Sequence, residues 1–250
     1  MRQLIYILII LLFPKKSNGN NGLIDFVSNQ KSNPSLFDFK SVKQVFTLYE
    51  NKYFLREWNS VTAGVTTGDS KNGTSLIYQQ KGNSKFSKSK INFNYAKLFT
   101  PQFSAGIGVT FIYYQQAEIQ NNPRQLCPSF GFKYQAKPNF TIWSSIYQDR
   151  LSSFSKSLPN TINLSGKYFF NESFKSTLSF TSSLKNEIQF GLWGKLAKTI
   201  ETGVLASNSS EPLSAVIILL KGNIKIVNSY AYHTTLGITS NLGLSCKWGS

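Results

Sequence analysis

Acidic residues are scarce in this 250-residue chain: 11 Asp and Glu stand against 27 Lys and Arg, a formal charge of +16. Histidine and methionine each occur once, and cysteine twice. One His and two separated cysteines do not supply the ligand shell of a transition-metal site, so no metal and no other cofactor is expected. Among the acids there is no carboxylate pair of convincing catalytic spacing, and no phosphate-cradling Gly-rich loop opens a helix. His233 beside Ser and Asn could serve a membrane-embedded lipase, where a His activates a nucleophilic Ser. Its structural alternative is a polar residue capping a hairpin, and no motif spaces a nucleophile to it. No enzyme is expected.

Cys127 and Cys246 fall in segments placed on opposite sides of the expected fold, one pointing inward and the other outward. A disulfide needs Cα atoms within about 7 Å, so two free thiols are predicted. Long apolar runs are also few. Leu4 to Phe13 is uncharged throughout, preceded by Met1-Arg2-Gln3 and followed by Pro14, two lysines and Ser17-Asn18-Gly19. Those three parts compose a secretory signal peptide over 1–19; a short interfacial anchor is the alternative. As a helix the run falls well short of the roughly 30 Å hydrocarbon core of a bilayer. No Cys lies near the cleavage site, so a lipid-modified N-terminus is not expected. No other stretch is apolar enough for a membrane helix, and any spanning must be done by strands.

What is plentiful points the same way. The chain holds 20 Phe, 12 Tyr, 4 Trp and 17 Gly, a composition of strands and turns rather than helices. Loss of Arg2, Lys15 and Lys16 with the leader would lower the charge from +16 to +13. An exported protein does not normally meet nucleic acid, so anionic lipid headgroups or acidic partners are the expected counterparts. From Gln44 to Trp248 the sequence divides into segments of the length of a tilted membrane strand. They are 44–52, 59–67, 72–81, 89–98, 102–115, 125–136, 139–148, 160–169, 173–183, 186–195, 198–206, 212–220, 223–233 and 238–248. Fourteen is an even number, as single-chain bacterial barrels have.

Most segments alternate with a period of two, which puts successive side chains on opposite faces of a sheet. Phe103, Ala105, Ile107, Val109, Phe111 and Tyr113 share one face of the fifth; Ser104, Gly106, Gly108 and Thr110 share the other. A soluble barrel would alternate as well, with its apolar face inward, so alternation establishes strands and not membrane. Segments two, eleven and twelve are weaker, and Ala215 to Leu220 is apolar on both faces. The connections discriminate better. Those after even-numbered strands are short, such as Lys137-Pro138 and Lys221-Gly222; those after odd-numbered strands are often longer and polar, such as 82–88, 116–124 and 149–159. Short periplasmic turns alternating with longer outer loops are the asymmetry of outer-membrane barrels. The connection after the ninth strand, only two residues long by these boundaries, departs from it. Ile238 to Trp248 alternates and closes on an aromatic, like a C-terminal targeting signal read by the barrel-assembly machinery; an ordinary edge strand is the alternative. The expected fold is an all-β antiparallel transmembrane barrel over 44–250, preceded by a plug-like segment over 20–43.

Several short motifs resemble one superfamily. Ser32-Asn33-Pro34-Ser35-Leu36 is similar to the Asn-Pro-Ala motif of FadL-like long-chain fatty-acid transporters and the related PorV/PorQ-type barrels of Bacteroidota. Tyr49-Glu50-Asn51-Lys52-Tyr53, Phe103 to Gly108, Pro128-Ser129-Phe130-Gly131 and Tyr230 to Gly237 resemble later segments of the Bacteroidota proteins. The resemblance implies a fourteen-stranded outer-membrane barrel with an N-terminal plug in which Asn33 and Pro34 take part. Family members carry a longer N-terminal region, whereas about fourteen residues separate Gly19 from Asn33, too few for much of a helical plug.

Six lysines, Lys133, Lys167, Lys175, Lys195, Lys225 and Lys247, sit opposite the apolar face of their strands and toward the periplasmic half. An inward basic ring would attract anionic head groups such as a fatty-acid carboxylate, or acidic partners; solubility near turns is the alternative. Three functions stay open: a channel for small hydrophobic or amphipathic molecules, a non-conducting partner of a type IX-like secretion machine, and a structural outer-membrane protein. Besides outer-membrane lipid, the expected partners are hydrophobic small molecules or a secretion-machine subunit. A mitochondrial porin is opposed by the signal peptide.

Overall fold

The computed structural model of the chain describes residues 33–37, 39, 43–83, 85–116, 124–147, 161–183 and 186–248. The expected signal peptide, 1–19, lies outside these residues, as does most of the segment 20–43.

Fourteen antiparallel strands close on themselves, because β1 (Lys43–Asn51) pairs both with β2 (Ser60–Gly68) and with β14 (Gly237–Trp248). Between them run β3 (Asn72–Gly82), β4 (Phe86–Thr100), β5 (Phe103–Gln116), β6 (Arg124–Lys137), β7 (Phe140–Tyr147) and β8 (Thr161–Phe169). The remainder are β9 (Phe174–Ser182), β10 (Glu187–Ala197), β11 (Ile200–Ser207), β12 (Leu213–Lys221) and β13 (Ile224–His233). Each strand pairs with its sequence neighbours, so closure leaves no free edge to template aggregation.

The alternation in sequence becomes an alternation in space. In β5, Ile107, Val109 and Phe111 are exposed, while Ser104 and Ile112 are buried. Exposed Phe, Leu, Ile and Tyr recur around the outside, from Val45 and Val61 through Phe93, Phe130, Leu164, Leu178 and Phe190 to Ile226, Tyr230 and Leu244. Monomers dissolved in water rarely carry a continuous apolar surface of this extent. A barrel whose outward residues are apolar and whose inward residues are largely polar is matched to hydrocarbon.

The two ends differ. Tight turns such as Pro101-Gln102, Pro138-Asn139 and Gly222-Asn223 follow even-numbered strands, with Gly222 in the left-handed region at φ 58°. Bulges at Leu98/Thr100, Gln135/Lys137 and Lys195/Ala197 all lie beside these turns, where an extra residue bends a strand end. The longer connection 52–59 lies at the other end, where β5 and β7 also finish. Two of the expected connections differ. The one after β9 spans 183–186, and the one expected over 82–88 shrinks to 83–85, because the pairing of Phe86 with Gln116 extends β4 into it.

Candidate functional site: a divided interior and a cleft in the wall

The inward rows of β4 to β9 are mostly amides and hydroxyls, tied into cross-strand pairs. Asn92 Nδ2 donates to Thr110 Oγ1 at 2.6 Å, Asn94 Nδ2 to Ser75 Oγ at 3.0 Å and Asn163 Nδ2 to Thr181 Oγ1 at 2.9 Å. This is the interior expected of hydroxyls, amides and lysines, but it covers only part of the lining. Phe46 and Leu48 of β1, Ile77 of β3, Trp193 of β10, Val216 and Ile218 of β12 and Val227 of β13 also face inward and form one buried apolar cluster. Strand β12 is apolar on both faces, so whichever way it turned it would bring apolar side chains inside. The aromatic rings are seated on glycines: a Cβ at Gly64 would lie 2.5 Å from the Phe46 ring, and one at Gly203 2.4 Å from the Trp193 ring. Gly fits where another group approaches a strand closely.

All six lysines of the expected ring face inward, near the tight-turn end. Lys167, Lys175 and Lys195 are buried, whereas Lys133, Lys225 and Lys247 are half-buried. The structure brings Lys175 and Lys195 together around a residue the motifs did not single out, the buried Glu201 of β11. Lys175 forms an ion pair with Glu201, and Lys195 is the cross-strand partner of Glu201. Lys175 Nζ also stands 5.3 Å from the centre of the Trp193 ring, and Lys167 Nζ 5.7 Å from those of Trp143 and Phe169. The ammonium groups thus rest on aromatic faces, a favourable electrostatic arrangement. Lys133 sits apart, opposite Trp143, and Lys225 and Lys247 lie on β13 and β14. The sequence signal for Glu201 was its parity, since it lies on the inward face one turn away from Lys195.

Asn33, Pro34 and Ser35 are fully buried against the inner face of β5 to β7. Asn33 Nδ2 donates to Ser144 O at 3.0 Å and to Phe132 O at 3.5 Å; the Ser35 amide and hydroxyl donate to Asn33 Oδ1 at 3.0 and 2.7 Å. Ser104 Oγ donates to Ser35 O at 3.3 Å. Two paired glycines make the seat: a Cβ at Gly106 would lie 2.6 Å from Pro34 O, and one at Gly131 2.0 Å from Asn33 Oδ1. Phe37 rests likewise on Gly73.

On the outer side of the same patch the wall is indented. Ala105 and Ser144 project little on the outward face, whereas the space that Gly106 and Gly131 leave is on the inner side, under Asn33 and Pro34. The resulting cleft, of about 540 Å³, is bordered by Tyr95, Lys97, Phe99, Phe132, Ile146 and Ile162.

At the long-loop end, Tyr53 turns inward after β1 and its ring meets that of His233 edge-on, centroids 5.0 Å apart. His233 Nδ1 accepts from the amides of Thr235 and Leu236, both at 3.1 Å, the hairpin-capping arrangement. Burial pulls the Lys52 ammonium down, but Glu211, Tyr53 and Glu50 outweigh it and hold it above its ordinary value. Cys127 is buried and Cys246 exposed, and neither is in a disulfide.

These features define a closed fourteen-stranded barrel with a hydrocarbon-matched exterior and a partly apolar interior. No family profile and no curated protein sequence matches the chain. Its fold does match solved structures. The CymD monoaromatic hydrocarbon channel is 7% identical with a TM-score of 0.63 over 94% of both chains. The toluene transporter TodX of Pseudomonas putida is 6% identical with a TM-score of 0.64 over 93% of both chains. The toluene transporter TbuX of Ralstonia pickettii is 8% identical, with a TM-score of 0.61 over 88% of this chain and 92% of its own. At such identities the likeness is one of fold, and it agrees with the barrel expected from the sequence.

Proposed function

We propose that this chain is an outer-membrane channel that passes small hydrophobic or amphipathic molecules. The observation that carries the reading is the buried apolar cluster on the inward face, Phe46, Leu48, Ile77, Trp193, Val216, Ile218 and Val227. A general water-filled pore has no use for such a cluster, which packs on itself and keeps water from that side of the interior. Set beside the amides and hydroxyls of β4 to β9, it gives the interior a greasy side and a polar side, which suits an amphipathic passenger.

The exterior supports placement in a membrane. Tilted pairs and edge-on contacts of Phe99 with Phe103, Phe140 with Tyr168, Tyr168 with Phe170 and Phe170 with Phe174 run along the tight-turn end. Aromatic girdles of this kind mark the membrane–water interface. The similar solved structures are named as a hydrocarbon channel and toluene transporters, which favours conduction over service as a non-conducting secretion partner. Lys133, Lys167, Lys175, Lys195, Lys225 and Lys247 would then offer positive potential to an anionic head group near the periplasmic exit.

Reconstitution tests the reading. Liposomes containing the full mature chain should take up toluene or a medium-chain fatty acid faster than protein-free liposomes, with little passage of a sugar. Sugar entry as fast as hydrophobe entry, or no entry of either, would overturn it.

A further inference from the structure

We propose that the outer cleft between β4 and β8 is a specific site for one glycerophospholipid of the surrounding membrane, with an acyl chain in the cleft and the phosphate on Lys97. The proposal rests on the membrane placement above, but not on conduction.

The cleft is built by register. Gly106 pairs with Gly131, and one rung away Lys97, Ala105, Phe132 and Ser144 are successive cross-strand partners on the outward face. The small side chains of Ala105 and Ser144 therefore flank Phe132 on the outward row, and Tyr95, Phe99 and Phe132 border the hollow they leave. Within hydrocarbon such a hollow must be filled by something apolar, since an empty one forfeits the dispersion contacts of its lining. A flexible acyl chain adapts to such a hollow, whose 540 Å³ volume falls within the range of small-ligand sites.

The polar end of the cleft says which chain. Lys97 is its one charged border residue, on an outward face where lysine is costly at mid-membrane and nearly free at the interface. Lys97 lies near the tight turn that ends β4, one rung from Phe99, whose ring centre is 5.9 Å from its Nζ. Phe99 stacks on Phe103 in the aromatic girdle. The cross-strand partner of Lys97 is Asn72, whose Oδ1 accepts from the Tyr95 hydroxyl at 2.9 Å. An ammonium, a phenol and an amide thus meet where lipid phosphates lie, directly above an apolar hollow. Among the described residues no carboxylate forms an ion pair with Lys97. The charge complement is an anionic phosphate, and the chain that follows it enters the cleft.

Native mass spectrometry of the full mature chain in detergent, after delipidation and titration with phosphatidylglycerol, tests the site. One phosphatidylglycerol should be retained, with diacylglycerol, which lacks the phosphate, held much more weakly. Lys97→Gln should weaken retention about tenfold, the worth of one charge-assisted contact. Ala105→Leu, or Ser144→Leu should the first fail to fold, should abolish it by filling the hollow. Equal retention by wild type and both variants, or diacylglycerol held as tightly as phosphatidylglycerol, would overturn the proposal. So would a free fatty acid bound with the same Lys97 dependence while phosphatidylglycerol is not retained. Loss of hydrophobe uptake in liposomes leaves this outcome untouched, so the two readings fail separately.

Discussion

The Tyr53 hydroxyl donates to Glu211 Oε1 at 3.3 Å, joining the β1–β2 connection to the β11–β12 connection across the ends of β13 and β14. The same oxygen accepts from Thr239 Oγ1 at 3.1 Å and lies 3.6 Å from Lys52 Nζ. Tyr53 and Phe54 both hold φ at 57°, a left-handed backbone that non-glycine residues adopt at a cost. The contacts at Glu211, with the Trp58 ring 6.2 Å from that of Tyr53, are what hold the strained connection in place.

Glu211→Gln should loosen this strap without unfolding the barrel. A partly exposed ion pair is worth less than about 1 kcal/mol, but it offsets a local strain of similar size. Amide hydrogen exchange in 52–59 should quicken several-fold while exchange in the strands stays constant. Unchanged exchange in 52–59 would show that the backbone, not Glu211, sets its conformation.

Alkaline pH should loosen the strap as well. The Lys52 ammonium is held above its ordinary value of 10.5, and a group raised by folding stabilises the fold below its unfolded value. The contribution is therefore complete at neutral pH and is lost as pH climbs through the raised value, beyond about 10.5. Tyr53, whose phenol burial holds above its ordinary 10.0, keeps its proton past that value too. Trp58 fluorescence should change in this alkaline window in the wild type and not in Lys52→Met.

Much of the barrel is legible in the sequence, because a period of two and a change of loop length report directly on strand faces and ends. Parity places Cys127 inside and Cys246 outside, and turns all six lysines inward. What parity cannot carry is which residues meet across the barrel or between non-adjacent positions of neighbouring strands. The Phe46–Trp193 cluster depends on strands far apart in sequence, and Ala215 to Leu220 gives no alternation to read. The cleft arises because Lys97, Ala105, Phe132 and Ser144 share one outward row, which follows from register rather than from any one strand alone. Parity alone marks Glu201 as inward; its pairing with Lys175 and Lys195 comes from strand register.

The seat of Asn33 can be tested from both sides. Asn33→Ala removes donors to Ser144 O and Phe132 O and the acceptor of the Ser35 amide; buried polar groups stranded this way cost about 1–3 kcal/mol each. Gly131→Val drives a side chain into the space of Asn33 Oδ1, yet a β-branched residue suits the strand itself. Both variants should keep the heat-sensitive gel mobility of a folded barrel, and both should raise ion conductance in planar bilayers. Wild-type conductance in Gly131→Val would show that the Asn33–Ser35 segment does not obstruct the interior.

Lys175 and Glu201 offer the sharpest energetic test, since the pair is buried on both sides. Glu201→Gln leaves the Lys175 ammonium in a dry site without its carboxylate, and breaking a buried pair in this way costs about 3–5 kcal/mol. Lys175→Met alone strands the carboxylate instead, although Lys195 across the strand offers it a second cation. The loss should therefore be smaller than for Glu201→Gln. The double replacement Lys175→Met with Glu201→Leu removes both desolvation penalties and lets Met pack on the Trp193 ring, so it should unfold near the wild-type urea concentration. The order expected for the midpoints is wild type and double variant highest, then Lys175→Met, then Glu201→Gln. A double variant as unstable as Glu201→Gln would mean that the pair holds the β9–β10–β11 wall together by attraction, not merely by cancelling charge.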